Sequence, residues 1–429
     1  MRFVCRKSRL CGEVAIPGSK SHTIRAVAIA SLARGDSRIL APLESADTLA
    51  AVEAYRRLGA EIDMEPDIWR VRGTGGTLVA PDNVIDVKNS GTTMRTVLGS
   101  CALVRDGMAV VTGDAQVCNR PAGPLADSLN DLGASVRSTR DNGKPPFVIQ
   151  GSLRGGETTI EALTSQYVTS LLLNTPLADG DTTIRVPVLN EQPYVQITLD
   201  WLERQGIEFE HDEMREFRVP GGQSYKTVDR RIPADFSSAT FFLAAGALGD
   251  NDVILRGLDM SDSQGDKAVV DYLREMGAEV EVQDDSIRVR AGELQGTELD
   301  LNATPDALPM MAVVGCFAKG TTTLANVPQA RIKETDRIAV MCAELSRMGA
   351  RIRELEDGLV IEESELVGTA VHGHDDHRVV MALAVAGTAS RGETVIDSAE
   401  AVGVTFPTFL DCMTGLGANL IPYLENEEC

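Results

Sequence analysis

Arg57-Leu-Gly59, followed by Ala60-Glu-Ile-Asp-Met64, Pro66-Asp67 and Trp69-Arg-Val-Arg72, is the stretch that decides the fold. The glycine stands just past the last apolar helical position, where a helix end favours a residue that tolerates positive φ. The two segments after it alternate apolar and charged residues, the period of a half-buried strand, and Pro66-Asp67 turns the chain between them. The stretch predicts a helix followed by a β-hairpin.

The same helix end recurs as Asp131-Leu-Gly133, Arg204-Gln-Gly206, Glu275-Met-Gly277, Arg347-Met-Gly349 and Gly415-Leu-Gly417. The spacing is about 70 residues throughout, longer than a solenoid repeat and close to a small subdomain. The fourth copy repeats the whole pattern in Ala278-Glu-Val-Glu-Val282, Asp284-Asp285 and Ile287-Arg-Val-Arg290. Six copies of one motif are therefore expected. Helices upstream of these ends, such as Ile24 to Leu32 and Ala239 to Leu248, are small and aliphatic almost all round, the pattern of helices enclosed by a domain. Three copies plus three is the natural grouping, with a boundary and hinge near Arg231-Ile-Pro233, where Pro233-Ala-Asp235 precedes a new apolar helix.

Composition narrows the function. The chain has 429 residues and a formal net charge of −22, which argues against nucleic acid, since phosphate-tracking proteins need a broad basic surface. Hydrophobic content of 43% with 4% aromatic residues fits an aliphatic core in two or three domains. No run approaches the roughly 20 apolar residues of a membrane span, and no N-terminal apolar segment reads as a signal peptide. The eight cysteines stand singly, without paired metal or redox spacings, and read as reduced thiols. A cytoplasmic protein is expected.

Against this acidic background, a few basic motifs stand out: Pro17-Gly-Ser-Lys-Ser21 with Arg25, Asn89-Ser-Gly-Thr92 with Arg95, Asn119-Arg-Pro121, Lys333-Glu-Thr-Asp-Arg337 and Asp376-His-Arg378. Each lies at a predicted helix boundary and joins Lys or Arg to Gly, Ser or Thr, a composition that presents donors to phosphates and carboxylates. Gly18-Ser-Lys20-Ser21 lacks the upstream glycine spacing of a P-loop. Positions 333 and 337 are expected to share a helix face. Alone, each motif also reads as an ordinary capped helix or a solvated charge network. His372-Gly-His374-Asp-Asp376-His377 could equally be read as metal ligands.

In order and spacing, these motifs resemble the enolpyruvyl transferase family, from Ile16-Pro-Gly-Ser-Lys-Ser21 through Thr405-Phe-Pro407. The resemblance implies an α/β fold: a two-lobed inside-out α/β barrel of six repeated βαβαββ units, three per lobe, with helices packed inside strands. Residues 16–231 would form one lobe and residues 1–15 with 232–429 the other, the active site lying in the cleft between them. It also implies that an acceptor hydroxyl adds to C2 of phosphoenolpyruvate while C3 is protonated, and that phosphate then leaves. No metal or organic cofactor is implied, and Asp376-His-Arg378 is then accounted for without metal. The partners would be phosphoenolpyruvate and a small anionic hydroxy acid, with 3-phosphoshikimate the default acceptor, and the chain would act as a monomer.

By the same resemblance, Asp306 is the base for the hydroxyl and Glu334 handles the C3 proton, with Lys20 as a third catalytic residue. Lys20, Gly91, Arg120, Gln166, Arg337 and Arg378 would bind phosphoenolpyruvate, the last two arginines clamping its carboxylate. Ser21, Arg25, Thr164, Ser165, Gln166, Tyr194, Gln329 and Lys333 would hold the acceptor. Three positions depart from the family pattern: Ile24 replaces an Asn, Val404 a Lys near phosphoenolpyruvate, and Glu191 a Ser that contacts the acceptor's phosphate. Glu191 disfavours a phosphorylated acceptor, so the same chemistry on an unphosphorylated hydroxy acid is a rival reading. A non-catalytic binding protein on this scaffold is another. A UDP-N-acetylglucosamine transferase ranks lower, because Ala115 stands where that enzyme carries Cys or Asp.

Overall fold

The computed structural model describes residues 1–424. The chain forms two compact units, one of Gly18–Ile232 and one of Met1–Pro17 with the chain from Pro233 onward. Each has its own aliphatic core.

Six four-stranded sheets are present among the described residues, and all six follow one plan: a parallel pair, then two antiparallel steps. In the first copy, Glu61–Glu65 pairs antiparallel with Ile68–Thr74, Ile62 facing Val71, and Asp67 turns between them at φ 62°. The hairpin read from the sequence is there with its turn at Pro66-Asp67; the first strand starts and ends one residue later than expected, and the second is longer at both ends. The six repeat glycines all have positive φ, from 70° at Gly206 to 104° at Gly59, where a side chain would strain the helix exit. The sixth copy takes its second hairpin strand from the other end of the chain: Arg2–Arg6 lies between Glu393–Ile396 and Asn419–Tyr423.

Each copy carries two kinds of helix. One is enclosed almost all round: Lys20–Leu32, Gly91–Cys101 and Gln166–Asn174 in one unit, Phe236–Gly246, Leu308–Phe317 and His377–Ala389 in the other. The other, such as Ala46–Arg57 or Arg337–Arg347, buries one stripe only. Small residues let the inner helices approach closely. A Cβ at Gly99 would come within 2.5 Å of Ser170 Oγ on the neighbouring helix, so alanine there would push the two apart. Both units are therefore α/β layers with helices inside and strands outside. Among the described residues, no helix is long and apolar enough to cross a membrane.

One expectation fails. The helix after Lys333 begins only at Arg337, because the Asp336 side chain accepts from the Ala339 N–H and caps it there. Lys333 and Glu334 stand in the preceding turn, after the short helical turn Pro328–Ile332, so 333 and 337 share no helix face.

Candidate active site

Several of the predicted residues stand at helix starts, Lys20, Gly91, Gln166 and Arg378 on inner helices and Tyr194 and Arg337 on outer ones, where unpaired backbone N–H groups and the helix dipole favour anions. In the Gly18–Ile232 unit, Lys20 opens one such helix and its Nζ lies 3.1 Å from Asp47 Oδ2. Asp47 is buried and its Oδ1 has no hydrogen-bond partner. Sequence reasoning missed Asp47, since an acidic residue in a first helical turn is ordinary. Gly91 opens the second inner helix, and a Cβ on it would sit 2.5 Å from Arg120 Nη1, so any side chain there would move that guanidinium from its place. Arg120 Nη2 donates to Asn89 Oδ1 at 3.4 Å. Gln166 opens the third, its amide accepting from Arg95 Nη1 (2.5 Å) and donating to Thr92 Oγ1 (3.2 Å).

Arg25 is enclosed and makes four bonds: to Thr198 Oγ1, Ser21 O, Thr169 Oγ1 and Tyr194 O, at 2.8 to 3.2 Å. Burial pulls its pKa down to about 10. It ties the Ser21 and Tyr194 backbones together, which brings those two predicted acceptor contacts to one place. Ile24 is fully buried in the core, so an apolar residue fits there.

Glu191 is 2% exposed, in left-handed backbone (φ 59°) at the start of Gln192–Gln205. It does not cap its own helix. Its Oε2 accepts instead from Thr164 Oγ1 (3.1 Å), the Ser165 N–H (3.1 Å) and Ser165 Oγ (2.7 Å). The predicted acceptor contacts Thr164 and Ser165 therefore hold a carboxylate of the chain itself.

The second unit carries a denser cluster. Arg337 is 0% exposed and donates to three carboxylates: Asp376 (Nε 2.8 Å, Nη2 3.1 Å), Asp306 Oδ1 (2.8 Å) and Glu334 Oε2 (2.5 Å). Burial alone would lower its pKa, but Asp376, Glu334 and Asp306 outweigh it and hold the guanidinium above its ordinary value. Asp306 Oδ2 also meets Arg378 Nη2 at 3.1 Å, and Lys333 Nζ stands 3.8 Å from its Oδ1. Asp376 is wholly buried, also accepting from Thr335 Oγ1 and the Arg378 N–H; desolvation works against its charge, yet Arg337 holds it below the usual carboxylate range. Gln329 donates to Asn302 O at 2.9 Å. Val404 ends the helical turn Ala399–Val404, half-buried. Among the described residues, no group of three or more His, Cys, Asp or Glu is placed to hold a metal ion.

His377 is buried, and neither ring nitrogen has a hydrogen-bond partner. Burial is the main cause that pushes its pKa from 6.5 down to about 3, so the folded chain keeps it neutral. Between those values the unfolded chain binds a proton that the folded chain does not, so stability is full above about pH 6.5 and falls as the pH drops toward 3. Urea unfolding at pH 7 and pH 5 is expected to show this loss, and His377→Leu should narrow the gap by about 2 kcal/mol. An unchanged gap would remove His377 from the acid response.

Helices enclosed by strands, three to a unit, are the arrangement that the resemblance to the enolpyruvyl transferases implies. The model of EPSP synthase (3-phosphoshikimate 1-carboxyvinyltransferase) matches residues 4–413. The chain is 54% identical over 420 residues to the 3-phosphoshikimate 1-carboxyvinyltransferase of Acetivibrio thermocellus, covering 98% of this chain and 99% of that one. It is 51% identical over 415 residues to the enzyme of the same name from Ruminiclostridium cellulolyticum, covering 97% and 98%. The EPSP synthase of Acinetobacter baumannii superposes with a TM-score of 0.83 at 26% identity, over 98% of this chain and 99% of that one. The chain belongs to the EPSP synthase family.

Proposed function

We propose that the protein moves the enolpyruvyl group of phosphoenolpyruvate to a hydroxyl of 3-phosphoshikimate and releases phosphate, a step of aromatic amino acid biosynthesis. The observation that carries this reading is the cluster of Asp306 and Glu334 on one buried arginine, with Arg378 and Lys333 beside them. A hydroxyl adding to C2 must lose a proton, and C3 must gain one, so the reaction uses two carboxylates with separate tasks. Asp306 takes the hydroxyl proton and Glu334 delivers the C3 proton. The tetrahedral adduct then breaks its C2–O bond to phosphate as C3 gives up a proton, leaving the enol ether. Lys20 and Arg120 receive the phosphate charge, and Arg337 and Arg378 the carboxylate. Ser21, Tyr194, Gln329 and Lys333 hold the acceptor. Acceptor-dependent release of inorganic phosphate from phosphoenolpyruvate, with the enol ether identified by mass spectrometry, is the test. No release with 3-phosphoshikimate would overturn the reading.

The carboxylate of Glu191 on Thr164 and Ser165 favours examining a second acceptor class, hydroxy acids without phosphate. Two like charges at about 4 Å repel by roughly 1 kcal/mol in water-like surroundings and about 4 kcal/mol at an intermediate dielectric. Glu191→Ser is therefore expected to raise kcat/KM for 3-phosphoshikimate by about 10-fold or more and to leave that for shikimate unchanged. Equal effects on both acceptors would show that Glu191 does not discriminate against phosphate.

A further inference from the structure

In the Pro233-onward unit, Asp306 bridges the two arginines assigned to the substrate carboxylate, Oδ1 on Arg337 and Oδ2 on Arg378. That is how a single carboxylate engages two guanidinium groups, so the chain's own acid occupies the seat a ligand carboxylate would need. Asp306, Glu334 and Asp376 surround Arg337, and Arg378 and Lys333 stand beside Asp306. A ligand carboxylate brought to the same two guanidinium groups would crowd the like charge of Asp306 in nearly enclosed surroundings, which penalise it.

We propose that Asp306 is the resident counter-ion of the Arg337–Arg378 seat and that the carboxylate of phosphoenolpyruvate displaces it. The inference rests on the carboxyvinyl transfer reading above. Arg337 keeps its bidentate bond to Asp376 and its bond to Glu334, so it stays in place while Asp306 leaves. Exchange of one carboxylate for another keeps both guanidinium groups paired and frees Asp306 to face the acceptor hydroxyl. The base is thus withheld from any hydroxyl until phosphoenolpyruvate is bound, and it weakens binding of that substrate in doing so.

Calorimetric titration of the full chain with phosphoenolpyruvate, acceptor present, separates this from a base that plays no part in binding. Asp306→Asn should lower the dissociation constant by about 10-fold or more, because the external carboxylate then meets both guanidinium groups without a charged competitor in the seat. Asp306→Ser is the second variant, and both are compared at matched thermal midpoints. Glu334→Gln also removes one negative charge but leaves the bridge, so its dissociation constant should stay within about threefold of the parent. Unchanged or weaker binding in both Asp306 variants, or equal tightening in Glu334→Gln, would overturn the proposal. Absence of turnover in the parent chain would instead reject the underlying reaction, so the two failures are told apart.

Discussion

Glu334→Gln is expected to lower turnover by about 100-fold or more while both substrates still bind, in line with the loss of a general acid–base group. Glutamine keeps the length of the side chain and an oxygen for Arg337 Nη2, the 2.5 Å partner of Glu334, so the turn before Arg337 keeps its anchor. It cannot exchange a proton. Turnover by phosphate release, binding by calorimetry and deuterium uptake at C3 of the product in heavy water form the readout. A normal isotope pattern with turnover within threefold of the parent would assign the C3 proton elsewhere. Low turnover with lost binding would make Glu334 a binding group and count equally against the assignment.

Replacement of Arg337 has the largest expected effect on stability. Removing one member of a buried ion pair typically costs about 3 to 5 kcal/mol, because the partner charge stays enclosed without compensation. Arg337 has three carboxylate partners, of which Asp376 is itself completely buried. Arg337→Met fills the volume and removes every bond, so urea unfolding should report a loss at the upper end of that range. Arg337→Lys retains charge but not the planar fork that meets Asp376 with two nitrogens, and should recover only part of it. A loss below about 1 kcal/mol for Arg337→Met would mean that the carboxylates accept protons at little cost.

The resemblance assigned Arg337 to ligand binding, and its neighbours explain why its second task was hidden. Asp306, Glu334 and Asp376 lie far apart in the chain or in separate turns, and only the packing of Leu308–Phe317, Arg337–Arg347 and His377–Ala389 in one unit delivers them to one guanidinium. The same holds for Asp47, whose pairing with Lys20 leaves no local mark, and for Glu191, whose sequence position gives no hint that its carboxylate turns to Ser165. Spacing alone puts Lys333 on a helix face with Arg337, since it does not register that Asp336 caps the chain three residues later.

Local signals carried the rest. The glycine after each helix, the two-residue alternation behind it and the nearly all-apolar inner helices are properties of short segments, set by backbone sterics and by which side chains must leave water. The sequence by itself therefore determined six helix-and-hairpin copies and the enclosed helices. Tertiary structure alone decided the supply of the sixth copy's strand by Arg2–Arg6, the Asp47–Lys20 pair and the bridge from Asp306 to two arginines. Those depend on distances between segments remote in the chain, which become fixed only when burial brings them together and each enclosed charge must find its opposite.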